Sequence, residues 1–121
     1  MFFPASGWFA AFLLTIAAEI PIVGYLLRAE PDRFRLGLLV VFANLVTHPA
    51  VWFIWTQLFL VGTLSYTLAA ESWAVVAEAV FYWTAIKGLS VRRAMTVAVA
   101  ANAASFLLGQ LVGELWPDLF R

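Results

Sequence analysis

Seven side chains able to hold a proton or an ion stand inside stretches of this sequence that are otherwise apolar. Glu19, Glu71 and Glu78 are carboxyls, His48 is the single imidazole, and Asn44, Asn102 and Gln110 are amides; Thr47 and Ser105 add hydroxyls. Their spacing is regular. Glu19 precedes Arg28 by nine residues and Glu78 precedes Lys87 by nine, while Asn44 follows Arg35 by nine and Asn102 follows Arg93 by nine. On helices rising about 1.5 Å per residue, all four lie roughly 13 Å from a common ring of basic residues. One layer therefore holds a Glu, an Asn, a Glu and an Asn.

Chemistry open to such a layer is narrow. A carboxyl in hydrocarbon costs about 3 kcal/mol when charged, so Glu19 and Glu78 are expected to carry a proton or to pair with a cation. A protonated Glu could donate to an Asn carbonyl. Asn44, Asn102, Thr47 and Ser105 serve equally well as polar glue between helices, and both readings stand. Glu71, His48, Thr47 and Ser105 lie on one side of the layer, with Thr15 and Gln110, while the other side holds few polar groups besides Thr84 and Thr96. That asymmetry predicts a pocket or half-channel closed at one end by aliphatic packing. His48, Glu71 and Glu78 could supply a metal site, although no Glu-x-x-His spacing occurs; no other cofactor is expected. Pro49 follows His48, and there a Thr or His side chain could occupy the carbonyl that proline leaves free. No nucleophile–base pair, phosphate loop or redox motif is present, so no enzyme is expected.

The elements that position these groups follow from hydropathy. Of 121 residues, 64% are hydrophobic and 12% charged, about half the charge that a water-facing domain carries. Lipid is the expected solvent, zero net charge gives no reason to expect nucleic acid, and the absence of cysteine excludes thiol chemistry. The start of the chain lacks a basic n-region, so the first apolar stretch reads as a retained helix. Apolar stretches at about 8–27, 36–60, 68–86 and 94–115 predict four spanning helices. The turns are short, so neighbours are antiparallel, giving an all-α up-down bundle in one domain, residues 1–121. Arg28, Arg33 and Arg35 fill the first turn and Lys87, Arg92 and Arg93 the third, which places both turns in the cytoplasm and both termini outside. Most tryptophans fall toward helix ends, as interfacial anchors do. Gly109 and Gly113, with the alanines from Ala98 to Ala104, allow close helix packing.

The two halves also match. Shifted by 59 residues, Ser6 falls on Ser65, Ala18-Glu19 on Ala77-Glu78, Arg28 on Lys87 and Arg33 on Arg92. With one residue dropped in the turn, Ala43-Asn44 meets Ala101-Asn102 and Thr47 meets Ser105. This predicts a duplicated hairpin, repeated in parallel about an axis normal to the membrane.

Asn44-x-x-Thr47-His48-Pro49, a later membrane Glu, and Ala101-Asn102-x-x-Ser105-Phe106-x-x-Gly109 resemble a group of small four-helix bacterial membrane proteins without a known function. The resemblance implies a multi-pass protein of the bacterial inner membrane and no activity. Ala18-Glu19-Ile20 and the chain's size are also similar to small multidrug resistance transporters, but the uneven loop charge and the repeated hairpin differ from that family, and the assignment is not made. Two functions are expected to compete: binding or transport of a proton, cation or small solute, and a non-catalytic membrane subunit or scaffold of a larger complex. Either would place the chain in a bilayer as a homo-oligomer or beside other membrane subunits.

Overall fold

The computed structural model describes residues 5–120, all of whose regular elements are helical. Helix α1 spans Ala5–Leu26, α2 spans Arg33–Leu58, α3 spans Leu64–Ala85 and α4 spans Val91–Leu115. Each starts three or four residues before its apolar stretch. Hydropathy marks what lipid or core can hold, whereas caps mark where a helix begins. Asp32, Thr63 and Ser90 each accept a backbone N–H from the first turn that follows, satisfying a donor that has no partner within the helix. The charged first turns of α2 and α4 are thereby helical too.

Among the described residues, three helices are long and apolar enough to cross a membrane: residues 7–26, 33–58 and 91–115. The expected fourth span, α3, is long enough at 22 residues, but Glu71, Glu78 and several hydroxyl side chains lower its hydropathy below theirs.

Helix α2 is not uniform. After Pro49 it widens into a π-helical segment, Ala50–Ile54, and closes with an α-helical turn, Trp55–Leu58. Proline has no N–H to give, and a widened turn is one way to accommodate the gap. Neither Thr47 nor His48 takes the role expected for it beside Pro49. The Thr47 hydroxyl lies against the Ala43 carbonyl and His48 Nε2 against Thr15. A different side chain braces this stretch: the Tyr66 hydroxyl, from the first turn of α3, donates to the Val51 carbonyl at 3.1 Å.

Short turns join consecutive helices, and the bundle closes as a square in which α1 packs on α2 and α4, and α3 packs on the same two. Its basic end is a dry core. Val23, Leu27, Leu36, Val40, Ala43, Tyr82, Ile86, Ala94, Val97 and Ala101 form one buried cluster. Arginines tie the helix ends there. Arg35 Nη2 donates to the Ala85 carbonyl and Arg93 Nη2 to the Leu26 carbonyl, both at 2.6 Å, and Arg33 reaches the Gly24 and Leu27 carbonyls. The last carbonyls of α1 and α3 have no partner within their own helices and carry the negative end of the dipole, which these guanidiniums offset.

The distribution of side chains is inverted relative to a water-soluble bundle. Glu19, Asn44, Thr47, Glu78 and Asn102 are buried, whereas Phe9, Leu13, Phe42, Leu45, Val80 and Leu107 are exposed.

Candidate functional site

Glu19 and Glu78 occupy the centre of the square, 0% and 1% exposed. The Glu19 carboxyl accepts from Asn44 Nδ2 at 2.7 Å through Oε2 and from Ser105 Oγ at 3.1 Å through Oε1. The Glu78 carboxyl accepts from Asn102 Nδ2 at 2.6 Å through Oε2 and from Thr47 Oγ1 at 3.1 Å through Oε1. Each glutamate thus takes its amide from its own hairpin and its hydroxyl from the other. The four residues read as one layer do converge, joined by both hydroxyls.

The direction of the amide bonds corrects the expectation that Glu donates to an Asn carbonyl. Each Asn spends its second N–H on the backbone one turn back, Asn44 on Val40 and Asn102 on Ala98, both at 2.9 Å. A carbonyl can only accept, so the nitrogen must face that way, and the amide meets its glutamate as a donor.

The hydroxyls are different. Thr47 Oγ1 lies 3.1 Å from the Ala43 carbonyl and 3.1 Å from Glu78 Oε1. Ser105 Oγ lies 3.1 Å from the Asn102 carbonyl and 3.1 Å from Glu19 Oε1. A hydroxyl has one hydrogen and two lone pairs. Pointed at an ionised carboxylate, the hydrogen satisfies it. Turned to the backbone carbonyl, it leaves a lone pair facing a protonated carboxyl, which then donates. Both states of each glutamate are hydrogen-bonded, and no heavy atom has to move.

On the side away from the basic end, the layer forms the floor of a cavity of about 390 Å³. Asn44, Thr47, Asn102 and Ser105 reach it from below, and Thr15, His48, Glu71, Gln110 and Tyr66 line it above. Glu19 and Glu78 do not; they lie behind their own partners. His48 stands among the rings of Trp8, Phe12 and Trp52, with centroids 6.4, 5.7 and 6.2 Å away, and its Nδ1 has no hydrogen-bond partner. His48, Glu71 and Glu78 are not brought together as metal ligands, and among the described residues no three His, Asp or Glu side chains are so grouped.

Over the cavity passes the turn that follows α4. Phe120 lines the space, and a Cβ placed on Gly7 would meet the Phe120 carbonyl oxygen at 2.5 Å, so only glycine lets the start of α1 lie this close to that turn.

Three residues not singled out from sequence belong to this region. Tyr66 braces the π-helical segment. Trp52 walls the cavity, although tryptophan in this composition reads first as an interfacial anchor. Tyr82 is fully buried with an unpartnered hydroxyl. It lies four residues past Glu78, on the same helix face, and that spacing was the available signal.

Comparison of the chain with family models, with curated proteins and with solved structures finds no match to any of them.

Proposed function

We propose that this chain is an integral membrane protein of four spanning helices, whose buried Glu19 and Glu78 take up and release a proton or cation from the cavity above them. The observation that carries the reading is the pair of hydroxyls that each touch a carboxyl and a backbone carbonyl. Glue alone does not require a titratable group, because Gln supplies a donor and an acceptor without the expense of a carboxyl in hydrocarbon. Two carboxyls satisfied in both protonation states suit a site that changes state.

Membrane embedding is supported by the inverted distribution of side chains, since apolar groups exposed around the whole bundle have no partner in water. The lower hydropathy of α3 is compatible with spanning, since Glu78 faces the centre of the bundle, where lipid does not reach, and Glu71 lines the cavity. The basic turns orient the cavity away from the cytoplasm, and the bacterial inner membrane is the setting this implies.

A duplicated hairpin is supported by the exchange of partners and by the turns. The bonds Leu27 N–H to Val23 O and Glu30 N–H to Leu27 O correspond to Ile86 N–H to Tyr82 O and Leu89 N–H to Ile86 O, an offset of 59. Leu36 N–H to Asp32 O corresponds to Ala94 N–H to Ser90 O, an offset of 58. Pro31 is thus the extra residue, and Arg35, not Arg33, has the basic counterpart, in Arg93. The helix-end ties follow the same rule, Arg35 to Ala85 and Arg93 to Leu26.

The test is thermal stability from pH 5 to 9, with and without divalent cations, for the wild type, Glu19→Gln and Glu78→Gln. A pH or cation dependence is expected in the wild type and is expected to weaken in each variant while the fold persists. Three parallel, flat curves would instead favour a scaffold that anchors other membrane subunits.

A further inference from the structure

The layer and the basic end obey the offset between hairpins, but the cavity does not. Counted at 59 in the first helix of each hairpin and 58 in the second, Trp8 corresponds to Thr67, Phe12 to Glu71 and Trp52 to Gln110. Where the first hairpin has a ring, the second has a hydroxyl, a carboxyl and an amide. Thr67 and Glu71 are four apart and share a face of α3, and both line the cavity together with Gln110 of α4. Across the same space stands Trp52. The chamber therefore sets a carboxyl, a hydroxyl and an amide from the second hairpin beside aromatic side chains, Trp52 among them.

We infer that this cavity binds a small organic monocation with an aromatic or aliphatic body, its ammonium head on Glu71, Thr67 and Gln110 and its body against Trp52. The inference rests on the reading of the cavity as a binding chamber. Among the described residues no Lys or Arg lines it, so an anion has no counter-charge there. The Glu71 carboxyl makes no hydrogen bond to any described side chain, so a wholly apolar occupant would cover it and leave it unpaired. A divalent metal would need several oxygen ligands, and no three acidic or imidazole groups are gathered among the described residues. A cation with an apolar body answers both groups, the carboxylate by charge and the indole by its electron-rich face. The volume is within the range of small-molecule pockets.

The probes are benzylammonium, its neutral analogue benzyl alcohol and its anionic analogue benzoate, titrated into the purified full-length chain and followed by tryptophan fluorescence. Benzylammonium is expected to saturate the signal, with both analogues weaker by about tenfold or more, the loss of one charged hydrogen bond. Glu71→Gln should bring the amine level with the alcohol, and Glu71→Asp should keep part of the preference. Equal binding of amine and alcohol to the wild type overturns the inference, as does a folded Glu71→Gln that keeps the preference. If Glu71→Gln does not fold, the amine-to-alcohol ratio on the wild-type chain decides alone. Amine selectivity with a flat pH response would remove the proton reading and leave this one; the reverse result would do the opposite.

Discussion

A carboxyl that must exist with and without its proton needs a neighbour able to reverse roles. Amides cannot do so here, because each Asn is oriented by its bond to the carbonyl one turn back. Thr47 and Ser105 can. Thr47→Val keeps the shape and removes the hydroxyl, so Glu78 Oε1 loses both the donor its carboxylate uses and the acceptor its protonated form uses. The expected outcome is a loss of about 1 kcal/mol in stability, the usual scale of a polar contact between membrane helices, together with a changed pH response of unfolding. Thr47→Ser should restore both. Asn102→Leu removes a donor that Glu78 uses in either state and should cost about 1–3 kcal/mol at every pH. Chemical denaturation of the two variants across pH separates the roles. The glutamates, asparagines and hydroxyls were legible as a layer because polar residues are scarce and nine-residue intervals to a basic ring set their depth. Which hydroxyl serves which glutamate was not, since the exchange between hairpins depends on how they pack.

Among the elements, α2 departs furthest from what its residues announce. Pro49 marks the place, but its neighbours' side chains do not cap the gap; the helix widens, and α3 sends Tyr66 to meet it. Local sequence could not reveal this, because the donor lies fifteen residues away from the carbonyl it serves. Tyr66→Phe deletes the contact alone. A loss of about 1 kcal/mol is expected, with faster amide exchange confined to residues 50–58. Uniform exchange along α2 in that variant would mean that the widened turn stands without the brace. The caps teach a similar lesson: Asp32, Thr63 and Ser90 were readable as N-cap types, yet hydropathy drew attention to where the apolar stretches begin.

For the whole molecule, the proposed orientation has a direct measurement, since the chain contains no cysteine to interfere. Single cysteines at Lys87 and at Val61 should be labelled by a membrane-impermeant reagent from opposite sides, position 61 from outside intact cells and position 87 only after lysis. The reverse pattern would sink the orientation and place the cavity toward the cytoplasm. Composition and basic turns carried most of this reading, and the four-helix order agrees with it. The weak point in the sequence was α3, whose two glutamates serve the interior of the bundle and the cavity rather than the surroundings; a hydropathy average cannot distinguish the two.

The close approach of Phe120 to Gly7 has one more consequence. A fold whose first helix starts beside the turn that follows its last has no obligatory first half. Joined there by a short linker and reopened in the turn between α2 and α3, it would be synthesised as the Glu78 hairpin followed by the Glu19 hairpin. Each hairpin would still carry a basic turn at its tip, so both would insert in the same sense. A circular permutant of this kind should therefore assemble the same square.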